Sequence, residues 1–201
     1  MSDENLQKEP AVLFDTEVVV GKVGELEYGL QMFQRPIGQI YALVHDYAYK
    51  TYDDTNMVMA ACLPQPYQFE ARGVFLSLLA TTPKDEALLI ESLKSATLTI
   101  EFGWHYIVLK IGMFRLPRNP MDTIIQTRKG NRTWWELKPY TPAPFIIGGV
   151  LGLSNVLTAN MKWDSEFKEA LPECKLRVAL TGSFIMPQGY WECLKREEAA
   201  S

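Results

Sequence analysis

The sequence has few of the residues on which most enzymes and metalloproteins rely. Its 201 residues include two histidines and three cysteines, and the cysteines form no CxxC pair. This spacing argues against a histidine-rich metal site and against the common zinc motifs. Three scattered cysteines also favour free, buried thiols over a disulfide framework.

Motifs of the common catalytic and phosphate-binding sites are missing as well. The chain contains no GxSxG, no HExxH and no P-loop GK[ST]. His45 and His105 are each interpreted as structural residues, because neither stands in a recognisable catalytic pattern. We therefore expect no enzyme activity, no cofactor and no metal site, with a small uncharacterised enzyme as one alternative.

Long hydrophobic runs are also lacking. The most apolar stretch, residues 145–153, has nine residues, whereas a membrane-spanning helix needs about 20. Residues 1–10 are polar and acidic, so they do not resemble a secretory signal. The sequence thus predicts a protein that lies at most on the surface of a membrane.

What the chain does have is the composition of a globular domain. Hydrophobic residues make up 47% and aromatic residues 11%, which is enough to build a core without disulfides or metal. The length fits one domain. We expect a mobile polar tail over residues 1–11, a single α+β domain over residues 12–194 and a charged tail over residues 195–201.

Hydrophobic periodicity predicts helices in the N-terminal half of this domain. A β-branched run over residues 12–23 indicates a first strand. The clearest helix signal is Thr82 followed by Pro83 and Asp85, a cap, a first-turn proline and an acid. The predicted helices cover residues 36–48, 57–63, 69–80 and 83–94.

The pattern changes to strands in the C-terminal half. Alternating residues predict a strand over 97–102, followed by strands over 104–116 and 133–137. Residues 117–132 are predicted to form a basic loop. Residues 174–194 are predicted to form a closing hairpin that turns at Gly182. The order of elements therefore predicts an α+β fold with a mainly antiparallel sheet.

Charge is distributed unevenly along a chain whose net charge is −4. Residues 1–27 are acidic, whereas residues 102–138 contain seven bases and two acids. Basic side chains near aromatic residues suit anionic lipid surfaces and phosphate backbones. The residues predicted to contact anionic lipid or nucleic acid are Lys110, Arg115, Arg118, Arg128, Lys129, Arg132 and Lys138.

A second candidate surface is apolar. Residues 141–153 contain prolines and glycines that disfavour a core helix, so this run is a candidate for contact with a partner or a lipid interface. A buried irregular segment or core strand is the alternative. The residues predicted to make apolar membrane or partner contacts are Trp134, Trp135, Phe145, Ile146, Ile147 and Leu151.

The layout of these elements resembles the matrix proteins of rhabdoviruses, particularly the plant-infecting type. The shared features are a polar tail, a strand leading into the helix near residues 37–49, strands over 97–116 and the closing hairpin. The resemblance implies a non-enzymatic structural protein of the virion and host cytoplasm, peripheral to the membrane. Implied partners are further copies of the chain, a viral nucleocapsid or ribonucleoprotein, an anionic membrane surface and a glycoprotein tail.

A plant-virus movement protein that binds single-stranded nucleic acid is the other alternative. Such a protein would also have a β-rich core. It would bind single strands with little dependence on lipid, which separates it from a matrix protein.

Overall fold

The fold consists of ten strands and one helix in the part of the chain that the computed structural model describes. That part comprises residues 6–24, 29–41, 49–79, 82–103, 106–112, 124–129, 132–137, 145–148, 157–164, 167, 169–170 and 174–187. The elements are β1 (Leu6–Val19), β2 (Gly29–Met32), β3 (Gln68–Leu79), α1 (Pro83–Leu93), β4 (Ala96–Phe102), β5 (Tyr106–Gly112), β6 (Ile124–Lys129), β7 (Arg132–Leu137), β8 (Phe145–Ile147), β9 (Leu157–Trp163) and β10 (Cys174–Pro187).

The strands form two antiparallel sheets that share one hydrophobic core. The first sheet has the order β1-β10-β3-β7-β6, with β8 also paired to β3, and the second has the order β2-β9-β4-β5. Buried residues of both sheets belong to a single core cluster, as in a β-sandwich. The predicted α+β class is therefore wrong, because the fold is essentially all-β and its one described helix lies in the middle of the chain.

The predicted helix over residues 69–80 is wrong, since this segment is the central strand β3. Its apolar residues fit a helical stripe, but Val74, Leu76 and Leu78 also alternate, and all three are fully buried. Short apolar runs carry both patterns at once, and burial against the second sheet decides between them.

The predicted helices over residues 36–48 and 57–63 are also wrong in their described parts. Ile40 forms an antiparallel bridge with Tyr49, and the backbone N–H of Lys50 donates to the carbonyl of Gln39. A helix over this segment would place Gln39 and Lys50 about three turns, or roughly 16 Å, apart, which is too far for this hydrogen bond. Met59 likewise bridges to Cys62 across a tight turn in which Ala61 has a positive φ of 57°.

The predicted closing hairpin is wrong as well, because β10 passes through Gly182 as one continuous strand. Its partner β3 carries an extra residue there: Thr181 pairs with Gly73 and Gly182 with Ala71, which leaves Arg72 in a bulge. A Cβ atom on Gly182 would lie 1.9 Å from the carbonyl oxygen of Glu70. Glycine is thus required here by a close approach of two backbones, not by a turn.

Other predictions from the sequence are confirmed. Helix α1 begins after Thr82, whose side chain accepts a hydrogen bond from the backbone N–H of Asp85. Strands β4, β5 and β7 occupy the predicted strand segments.

The predicted basic loop over residues 117–132, in contrast, contains strand β6. Strand β1 begins at Leu6, so residues 6–11 of the expected tail belong to the first sheet.

The outer edge of β1 is covered by the chain itself. The side-chain amide of Asn56 donates to the carbonyl of Val12, and its oxygen accepts from the backbone N–H of Phe14. Thr55 forms an antiparallel bridge with Asp15 beside this contact. These contacts occupy backbone groups that an edge strand would otherwise expose to other chains.

Candidate functional site: a buried ion cluster and a basic hairpin

Two carboxylates of β1 face the interior of the sandwich. Alternate residues of a strand share a face, and Asp15 and Glu17 alternate with Leu13 and Val19 of the core. Both acids are fully buried. Burying a charged group is costly unless it is paired, so these two carboxylates need a cation inside the protein.

Lys50 supplies that cation. Its side chain is fully buried, and its Nζ lies 2.7 Å from Oδ1 of Asp15 and 2.5 Å from Oε1 of Glu17. The lysine reaches the strand from the segment that the bridge between Ile40 and Tyr49 holds in place. The result is a compact cluster of one amine between two carboxylates, here called the Lys50 cluster.

Further donors complete the surroundings of this cluster. The backbone N–H of Phe33 donates to Oδ2 of Asp15 at 2.6 Å. Nη1 of Arg35 lies 3.7 Å from Oε1 of Glu17. Burial raises the pKa of Asp15 above its usual value, and the charge and hydrogen bond of Lys50 only partly oppose this effect.

A second ion pair lies on the opposite face of the first sheet. Nζ of Lys175 donates to Oδ1 of Asp54 at 2.6 Å and to the hydroxyl of Tyr41 at 3.0 Å. Although burial disfavours the charged carboxylate, hydrogen bonds from Lys175, Tyr41 and Thr51 lower the pKa of Asp54. Burial and the neighbouring Asp54 raise the pKa of Tyr41. The tyrosine ring also lies 5.6 Å from Nζ of Lys50, between the two lysines.

The Lys50 cluster was not predicted from the sequence. A usable signal was present: Asp15 and Glu17 occupy the same alternation phase as Leu13 and Val19, so a strand places them on the core face. The position of Lys50 had no comparable signal, because its segment carries an apolar helical pattern.

The basic residues predicted from the sequence are partly brought together. Arg128 and Lys129 end β6, Arg132 begins β7, and Lys129 pairs directly with Arg132. Directly paired residues of an antiparallel sheet have Cα atoms about 4.5–5.5 Å apart. Three basic residues therefore share one end of the β6–β7 pair, here called the basic hairpin.

Of the other predicted basic residues, one lies within the part of the chain that the structure describes. Lys110 is exposed on β5, which belongs to the second sheet. Arg115, Arg118 and Lys138 lie outside the described residues. The same is true of His45 and His105.

The predicted apolar contacts are divided between two strands of the first sheet. Trp134 and Trp135 lie on β7, opposite Ser77 and Leu76 of β3 respectively. Phe145, Ile146 and Ile147 form β8, which pairs with β3 as well. Leu151 lies outside the described residues.

The two isoleucines of β8 have different environments. Ile146 is 45% exposed, whereas Ile147 is fully buried in the core. Ile147 is thus a core residue, and of these two isoleucines only Ile146 is exposed to a partner surface. At this position the alternative interpretation of the run, a core strand, is the one observed.

Among the described residues, no helix combines the length and apolar character that a membrane span requires. In the same part of the chain, no group of three or more histidine, cysteine or acidic residues is placed to hold a metal ion. No family model, curated protein or solved structure matches this chain.

Proposed function

We propose that this protein is a non-enzymatic, matrix-like structural protein that self-associates and binds anionic surfaces, bridging a membrane and a ribonucleoprotein. The observation that carries the proposal is the basic hairpin. It concentrates Arg128, Lys129 and Arg132 at one end of two paired strands in a chain that is acidic overall.

The expected strength of this contact follows from the number of charges. Each basic residue near an anionic membrane contributes about 1 kcal/mol. Three such residues together contribute roughly 3 kcal/mol, or about a hundredfold in affinity. Because surface charges are screened by ions, the binding should weaken as salt is raised.

The support for a matrix-like function comes from the charged surface of the protein and not from the order of its helices and strands. Two features behind the resemblance are not observed: the described residues 37–41 of the predicted helix form turns and an isolated bridge, and the closing hairpin is replaced by the single strand β10. Of the layout on which the resemblance is based, strands are observed over 97–102 and 106–112. The basic hairpin therefore supports the proposal more strongly than the order of elements does.

Liposome flotation tests the proposal. The wild-type chain should float with phosphatidylserine vesicles at low salt, should not float with neutral vesicles, and should be released as salt rises. Reversing charge at Arg128, Lys129 and Arg132 should abolish flotation, because it replaces attraction by repulsion at the same place.

A matched control reverses the same number of charges elsewhere. Lys84, Lys94 and Lys162 are all exposed and lie on α1, at its C-terminal end and on β9. Reversal of these three lysines changes net charge equally and should leave flotation nearly unchanged. Equal loss in both triple variants would show that only net charge matters and would refute a specific role for the basic hairpin.

A nucleic-acid arm separates the matrix proposal from the movement-protein alternative. Binding of a labelled single-stranded oligonucleotide is measured with and without vesicles. Tight binding of the oligonucleotide with no flotation on any vesicle would contradict the membrane role and favour the alternative.

A further inference from the structure

The Lys50 cluster has the arrangement needed for a covalent reaction within the chain. A primary amine and a carboxyl group lie 2.7 Å apart, measured from Nζ of Lys50 to Oδ1 of Asp15. A second carboxylate, that of Glu17, lies 2.5 Å from the same nitrogen. All three side chains are fully buried.

The geometry points to an intramolecular amide bond that forms between Nζ of Lys50 and Cγ of Asp15, with Glu17 as the proton-transfer group. The product is a permanent cross-link between strand β1 and the segment that carries Lys50. This self-modification is independent of the proposed surface binding.

Three features of the site favour this reaction. Nζ of Lys50 already lies 2.7 Å from Oδ1 of the carboxyl group that it attacks, which removes most of the entropic cost of bringing the two groups together. The backbone N–H of Phe33 donates to the other carboxyl oxygen at 2.6 Å, so it stabilises negative charge that develops on that oxygen. The surroundings are buried core, as Asp15 pairs with Val178 and Glu17 with Leu176, both fully buried.

Burial also favours the protonated form of the carboxyl group that is attacked. Attack requires a neutral amine and a neutral carboxylic acid. Burial raises the pKa of Asp15, which moves this carboxyl toward its protonated form. Transfer of one proton from Lys50 to Asp15 converts a buried ion pair into two neutral groups at no net change in charge.

The step balances without any further reactant. The lone pair on Nζ of Lys50 attacks Cγ of Asp15, and a C–N bond forms. Glu17 accepts a proton from the attacking nitrogen and delivers it to the departing hydroxyl of Asp15. The C–O bond breaks and one water molecule leaves, so the carboxylate of Glu17 is regenerated.

Intact-mass spectrometry of the denatured full-length protein is the direct test. The cross-linked chain should weigh one water molecule less than the mass calculated from its sequence. Proteolysis should then yield a branched peptide that joins the segment around Asp15 to the segment around Lys50. These two measurements need only the wild-type chain, so they do not depend on the folding of any variant.

Variants of the three residues assign their roles. Lys50→Arg retains the buried positive charge but removes the amine, so its mass should equal the calculated one. Asp15→Asn should still react, releasing ammonia in place of water, and should give a product with the same mass as the cross-linked wild type. Glu17→Gln should slow the reaction by at least about a hundredfold, the usual contribution of an acid–base group.

Two results would overturn the inference. One is a wild-type chain of full calculated mass that gives only linear peptides containing Asp15 and Lys50, which would mean that the cluster is an ion pair alone. The other is a mass loss that persists in Lys50→Arg, which would place the lost water elsewhere in the chain.

Discussion

Replacing Gly182 by alanine tests the close contact at the centre of the first sheet. The added Cβ would lie 1.9 Å from the carbonyl oxygen of Glu70, 2.9 Å from its carbon and 3.1 Å from Cα of Ala71. All three atoms belong to the backbone of β3, so no side chain can turn away to make room. The two strands must separate by about 1 Å, since they are normally about 4.8 Å apart and their hydrogen bonds tolerate little stretching.

The expected cost combines strain with weakened pairing. Overpacking a well-packed site costs about 1–3 kcal/mol, and each weakened backbone hydrogen bond adds about 1 kcal/mol. We therefore expect Gly182→Ala to lower the free energy of unfolding by about 3 kcal/mol, the sum of one strain contribution and one lost bond. For a chain of this size the melting temperature should fall by roughly 6–12 °C.

Urea unfolding monitored by tryptophan fluorescence measures this effect. Gly29→Ala is the matched control, because a Cβ at exposed Gly29 meets no atom within 4 Å, and it should change stability by no more than about 0.5 kcal/mol. If Gly182→Ala is as stable as Gly29→Ala, the close approach of β3 and β10 is not present in solution and the bulge at Arg72 is wrongly placed.

Three further substitutions test other parts of the structure. Lys50→Met should be about 3–5 kcal/mol less stable than Lys50→Arg in urea unfolding, because neither variant can form the amide but only the arginine keeps a buried cation beside Asp15 and Glu17; equal stability of the two variants would refute this. Asp54→Asn should lower stability near pH 7 by about 1–3 kcal/mol through lost charged hydrogen bonds. Because the folded-state pKa of Asp54 is depressed, its carboxylate stabilises the fold above the ordinary pKa of 3.8, and this stabilisation is lost as the pH falls further. Asp54→Asn should therefore lose less stability than the wild type as the pH falls below 3.8. The same decline in stability with pH for both proteins would contradict the charged hydrogen bonds of Asp54. Thr82→Ala should cost about 1 kcal/mol by removing the cap of α1, measured by thermal melting, and Thr82→Ser should restore most of it.

In this protein, elements that depend on local signals are predictable from the sequence, whereas the pairing of distant strands is not. The start of α1 is predictable because Thr82, Pro83 and Asp85 act within one turn. Strand β4 is predictable because its alternation is not masked by a competing helical pattern. In β3, by contrast, the same apolar residues fit both periods, and only the packing of Val74, Leu76 and Leu78 against a second sheet makes it a strand.

The same distinction applies to Gly182 and to the candidate site. A glycine within an alternating run predicts either a turn or a close backbone contact, and the choice depends on Glu70, more than a hundred residues away in the chain. The basic hairpin is visible as charge in the sequence, although its pairing is not. Lys50 meets Asp15 only after the segment between them folds back onto β1, so no local pattern could place the amine beside the two acids.

The contact between Asn56 and β1 limits where another strand can pair with the first sheet. The amide of Asn56 acts as a substitute peptide group and closes the hydrogen-bonding edge between Val12 and Phe14. An unprotected edge strand can pair with a strand of another copy, and repeated pairing at both edges of a sheet would build a fibre. At Val12 and Phe14 the backbone groups of β1 are already bonded within the chain, so a strand of a second copy cannot pair with this part of β1.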